Sequence, residues 1–238
     1  MFDWSKLSRQ DISLTIQSLS PLLVGASVPQ SEFHSILSKF LKRRFCVKVT
    51  EGWDVKVKKY VAFTGGTYYS DLDAEEAKCI ELNFLYNPEL SEFKVTERRF
   101  KHMCNLIADT LLHEIIHMRQ YRRRSFKSLP NYNSTAQKRK VREEQEYLGH
   151  SDEIDAYGFN IACELLAKHN GDRNMVARHL DLDLRRCRKN GGCWKMYLKV
   201  FEHDHNHEVI KKLKKKVIRY LPRAEEGRPF KNSDWICY

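Results

Sequence analysis

Residues 111–120 read LLHEIIHMRQ. Upstream, Phe100, Met103, Cys104, Ile107, Leu111 and Ile115 recur at steps of three and four. Thr96 makes a good N-cap, so one long helix is expected to follow it and to end near residue 124. On that helix His113 and His117 stand one turn apart along the axis and about 40° apart around it. Two imidazoles so placed can reach a single ion. Glu114 falls at the edge of the same face, where its carboxylate can meet a water on that ion without ligating it. Zinc lowers the pKa of a bound water from about 15.7 toward 7, and a glutamate can take the proton as that water attacks a carbonyl. The expectation is a catalytic zinc site with His113 and His117 as ligands and Glu114 as base.

A catalytic zinc usually takes three protein ligands and keeps one position open, so a further donor is expected from another element. HSDEIDAYGFNIA, residues 150–162, offers candidates. With Ser151 as cap, Glu153 lies in the first turn of a second helix. Ile154, Gly158, Ile161 and Leu165 form its apolar face, and Glu153, Tyr157, Asn160 and Glu164 its polar one; Asn170-Gly171 ends it. Glu153, His150, Asp152, Asp155 and Glu164 are all possible third donors. Asp109, one turn before His113, and Asp155 are candidates to accept a ring N–H from a ligand histidine. Tyr157 and His150 are candidates to polarise a carbonyl oxygen. His203, His205 and His207 (HDHNH) have no evident third donor beside them and read as solvated histidines.

HEIIH followed by a helix that opens Glu153-Ile154-Asp155-Ala156 resembles the gluzincin peptidases. It is similar in particular to small cytosolic HExxH peptidase-like proteins of bacteria and their phages. The resemblance covers about residues 95–170. It implies His113, His117 and Glu153 as zinc ligands, Glu114 as catalytic base, and hydrolysis of peptide bonds in a protein or peptide substrate. The chain departs from many gluzincins in having Tyr157, not Asp, four residues after the ligand glutamate. With His150 as third ligand the site would instead resemble the SprT-like, DNA-associated proteases. The alternative reading is therefore a nucleic-acid-associated zinc protein.

Around this centre the first 45 residues look helical, with Ile12, Ile16 and Leu19 before Pro21 and Phe33, Ile36, Leu37, Phe40 and Leu41 after Pro29. CVKVT (46–50), VKVKKYVAF (55–63) and AKCIELNFLY (77–86) read as strands of a small, mostly antiparallel sheet. Gly65-Gly66 marks a turn, Asn87-Pro88 ends the last strand, and the edge at 78–86 is a candidate to hold an extended peptide. Residues 125–142 read as a polar loop, and 172–238 as shorter helices, the last clear one around 207–221. The expected fold class is α+β and zincin-like. A metallopeptidase domain with amino-terminal helices is expected over 1–171, and a basic helical extension over 172–238.

The chain has 238 residues and 42% hydrophobic ones, enough for a normal core. Lys plus Arg number 42 against 31 acidic residues, a net charge of +11 that favours acidic partners. Basic runs at 119–127, 138–142, 185–189 and 211–216, with Tyr121, Phe126, Tyr132, Trp194 and Tyr197 among or near them, are a candidate surface for nucleic acid or an acidic protein. No run approaches the ~18 apolar residues of a membrane span. MFDWSKLSRQD lacks the pattern of a secretory signal. Seven cysteines never form CxxC, which suits a reducing, cytoplasmic setting.

Overall fold

The computed structural model describes residues 7–25, 27–57, 62–70, 79–127, 141–182 and 192–230. The architecture is α+β. The chain divides into two compact units, Met1–Met118 and Arg119–Tyr238, and the division falls inside one unbroken helix.

The first unit begins with α1 (Arg9–Gln17). Ser8 caps it reciprocally: Asp11 N–H donates to Ser8 Oγ at 3.1 Å, and Ser8 N–H donates to Asp11 Oδ2 at 3.0 Å. Ile12 and Ile16 face inward. A short α2 (Ser20–Leu23) and β1 (Ser27–Pro29) lead to α3 (Gln30–Phe45), which buries Phe33, Leu37, Leu41 and Phe45. β2 (Lys48–Trp53), β3 (Ala62–Tyr68), β4 (Ile80–Tyr86) and β5 (Glu92–Lys94) follow, then α4 (Glu97–Arg123). Phe100 N–H donates to Thr96 O at 2.9 Å, so the helix opens where Thr96 was expected to cap it. Its stripe from Phe100 through Ile107 to Ile115 is buried.

The strands differ from expectation in four ways. β1 pairs antiparallel with β5, a two-stranded ribbon that the helical reading of the first 45 residues missed. The three-stranded sheet runs β2-β4-β3, with β2 parallel and β3 antiparallel to β4, so the antiparallel expectation holds for one of its two pairings. β4 is the middle strand, paired on both sides, and cannot be the peptide-accepting edge; among the described residues the edges are β2 and β3. Its near-continuous apolar run IELNFLY fits that central place. Gly65-Gly66 is also not a turn between strands. Both lie inside β3, where Gly65 has φ +131° and the register shifts between Phe63 and Gly65. Part of the expected strand at 55–63 lies outside the described residues.

The second unit contains α5 (Val141–Leu148), α6 (Ser151–Lys168), α7 (Arg173–Leu180), α8 (Cys193–Val200) and α9 (Glu208–Glu225). α6 shares one core with the helices after it: Ile154, Ile161 and Leu165 pack with Trp194, Tyr197, Ile210, Leu213, Val217 and Leu221. Each such side chain is worth ~1.5–3 kcal/mol over leaving it in water. The cap of α6 is His150, not Ser151: its Nδ1 accepts the Asp152 N–H at 3.3 Å. His207 caps α9 in the same way, and it and His203 lie outside any helix. The expected loop at 125–142 falls mostly outside the described residues, as does the basic run at 185–189. No helix among the described residues is long and apolar enough to cross a membrane.

Candidate metal centre

α4 presents His113 and His117 on one face, because a four-residue step returns nearly to the same direction. Their Nε2 atoms stand 3.1 Å apart, with ring centroids at 4.7 Å. Two nitrogens bound to one tetrahedral zinc at 2.0–2.1 Å stand about 3.3 Å apart, so this spacing is close to that of a ligand pair. A direct hydrogen bond between the rings would also suit 3.1 Å, and the third donor separates the two readings. The ligand atoms of His113, His117 and Glu153 all lie within 4.8 Å of one another, and all three residues are buried, at 7%, 5% and 0% exposure. Two imidazoles and one carboxylate form the donor set of a borderline-soft divalent ion such as zinc. The residues therefore fit the expected metal.

The first turn of α6 is gripped by the end of α4. Arg124, one residue past α4, donates from Nη1 and Nη2 to the two carboxylate oxygens of Asp152, at 3.0 and 2.8 Å. Gln120 Nε2 donates to Asp152 O at 3.1 Å and to Asp155 Oδ2 at 3.3 Å. Asp155 Oδ1 also accepts from Lys216 Nζ at 2.6 Å and Tyr220 OH at 3.1 Å. Residues on both sides of Glu153 are thus held by long-range bonds. The same bonds occupy the competing donors: Asp152 serves Arg124, Asp155 serves three partners, Glu164 Oε2 accepts the Cys193 N–H at 2.9 Å, and His150 caps α6.

No protein-family model matches this chain, and no match is found among curated proteins or solved structures. The site's own geometry carries the functional argument.

The residues expected in supporting roles have other partners. Asp109 forms a two-pronged ion pair with Arg9, at 2.5 and 2.9 Å, and Asp155 is shared among α4 and α9 groups. Tyr157 stacks edge-on against Tyr197 with ring centroids 5.4 Å apart. Burial, and then the Glu153 carboxylate, hold the Tyr197 phenol well above its ordinary range. It stays a neutral donor to Leu148 O at 3.1 Å.

Glu114 is buried beside the histidines, and the sequence reading overlooked what lies over it. A Cβ on Gly66 would come within 2.8 Å of Thr110 Cγ2, 3.1 Å of Glu81 O and 3.3 Å of Glu114 Cγ. Only glycine lets the β3 backbone lie this close to Thr110 and Glu114 of α4. The signal was present as Gly65-Gly66, but glycine pairs mark turns more often than close approaches.

Proposed function

We propose that the chain is a zinc-dependent metalloendopeptidase that hydrolyses peptide bonds of a protein substrate. The observation that carries this reading is the convergence of buried His113, His117 and Glu153, with Glu114, also buried, next to His113 in the helix. A bound zinc supplies Lewis acidity toward a carbonyl oxygen and makes water a stronger acid. His113, His117 and Glu153 would hold the ion, leaving a formal charge of +1 when both imidazoles are neutral. Glu114 would act as the base, taking a proton from the attacking water and passing it to the leaving amine. β3 is a sheet edge whose glycine backbone adjoins Glu114, which suits an extended peptide laid along that edge by strand addition.

Glu114→Gln separates chemistry from binding, because it removes the base and retains the ligands. The variant is expected to keep about one zinc and the wild-type melting curve, and to lose cleavage of a proteome-derived peptide library by several orders of magnitude. Cleavage at the wild-type rate would overturn the mechanism. A folded native protein without zinc would overturn the reading as a whole.

A further inference from the structure

Helix α9 carries seven basic side chains between Glu208 and Glu225 and uses them in two ways. Its inner face buries Ile210, Leu213, Val217 and Leu221, and the lysines bordering that face are neutralised: Lys214 by Asp181 at 2.7 Å and Lys216 by Asp155 at 2.6 Å. At the ends, Lys211 meets Glu208 at 3.2 Å and Arg223 meets Glu226 at 3.4 Å. Lys212, Lys215 and Arg219 differ. They are exposed, and no carboxylate among the described residues pairs with them.

At positions i, i+3 and i+7 these three side chains lie within about 60° of one another around the helix and span about 10 Å along it. Like charges at such spacings destabilise a helix, and α9 has no Asp or Glu from 209 to 224 to relieve them. Among the described residues nothing offsets that cost, whereas an external polyanion would. Two of the aromatic residues that could have stacked on unpaired bases, Trp194 and Tyr197, are instead 2% and 0% exposed in the core. The stripe can grip phosphates, and Tyr220, the one aromatic residue of α9, is bonded to Asp155 rather than offered to bases. A duplex presents one charge per about 1.7 Å of axis, so about six phosphates lie along the length of this stripe.

We propose that the Lys212–Lys215–Arg219 stripe of α9 docks the phosphate backbone of double-stranded nucleic acid without reading its sequence. The test is fluorescence anisotropy of the full chain with two duplex DNAs of unrelated sequence, from 50 to 200 mM salt. Both duplexes are expected to bind equally, more weakly as salt rises. The triple variant Lys212→Gln, Lys215→Gln, Arg219→Gln is expected to lower affinity about tenfold or more. It should also make the log–log salt slope shallower by about three, one per lost contact. A control triple with the same charge change, Lys42→Gln, Arg43→Gln, Arg44→Gln at the exposed end of α3, is expected to stay within about twofold of wild type. Should the α9 triple melt early, the three single variants, each lowering the slope by about one, replace it. Equal losses from both triples would reduce the effect to overall charge and overturn the proposal. So would tighter binding to a poly-glutamate peptide than to the duplexes, or no wild-type binding at 50 mM salt. Glu114→Gln should bind duplex as wild type does, so this result stands or falls apart from the peptidase reading.

Discussion

His113 and His117 bring two ring nitrogens to 3.1 Å, and His169 and His179 bring two ring nitrogens to the same 3.1 Å. The ring centroids are also alike, at 4.7 and 5.0 Å. The first pair comes from one helix at a four-residue step and has the carboxylate of Glu153 within 4.8 Å of its ligand atoms. The second joins the C-cap of α6 to the last turn of α7, and no third His, Cys, Asp or Glu donor completes it among the described residues. Its near neighbour is a cation. Burial first, then Lys168 and His169, push the His179 ring down to about 4. Neutral His–His contact is then the favoured state there, a hydrogen bond between an N–H and a lone pair. Paired nitrogens alone do not make a metal centre; the anionic third donor distinguishes the two.

The largest effect should come from that donor. Glu153→Ala is expected to lower zinc affinity by orders of magnitude, as is loss of either α4 histidine, while His179→Gln leaves the metal content near one per chain. Metal analysis of the purified variants decides it. Zinc lost with His179→Gln and kept with Glu153→Ala would invert the comparison, and zinc lost with His150→Ala would give the third place to that cap residue.

A smaller effect is expected from Arg124, which holds the turn bearing Glu153. Groups that orient ligands typically contribute 10–100-fold to metal affinity. Arg124→Ala is expected to fall in that range in competition with a chromophoric chelator. Arg124→Lys, which keeps the charge but loses the two-pronged fork, should recover only part of it. Unchanged affinity in Arg124→Ala would mean that Glu153 is positioned by its own helix packing alone.

The smallest effect belongs to the second pair and appears in pH dependence. His179 has a folded pKa of about 4 against an ordinary 6.5. Between those values the unfolded chain binds more protons, so stability is fully present above about pH 6.5 and is lost as pH falls toward 4. The slope is at most about 1.4 kcal/mol per pH unit for one group. Melting curves of His179→Gln should lack this component. A wild-type slope in the variant would assign the acid sensitivity to other groups.

What the sequence determined by itself was local. A four-residue histidine step, an apolar stripe and helix-ending signals depend on neighbours within a turn or two, so α4 and α6 and their facing residues could be read from the chain. The cap of α6 was misplaced by one residue because serine is the commoner N-cap, whereas here the His150 ring accepts the Asp152 N–H. Strand order depends on pairing between distant segments. The sequence marked 77–86 as a strand, but its middle position followed from β2 and β3 flanking it. The same distance dependence hid Gly66, whose tightest neighbour is a helix residue 44 positions later, Thr110. It also left five candidates for the third donor open. Only tertiary contacts tied Asp152 to Arg124, Asp155 to Lys216 and Glu164 to Cys193, because a carboxylate's partner is set by which segments the fold brings within about 3 Å.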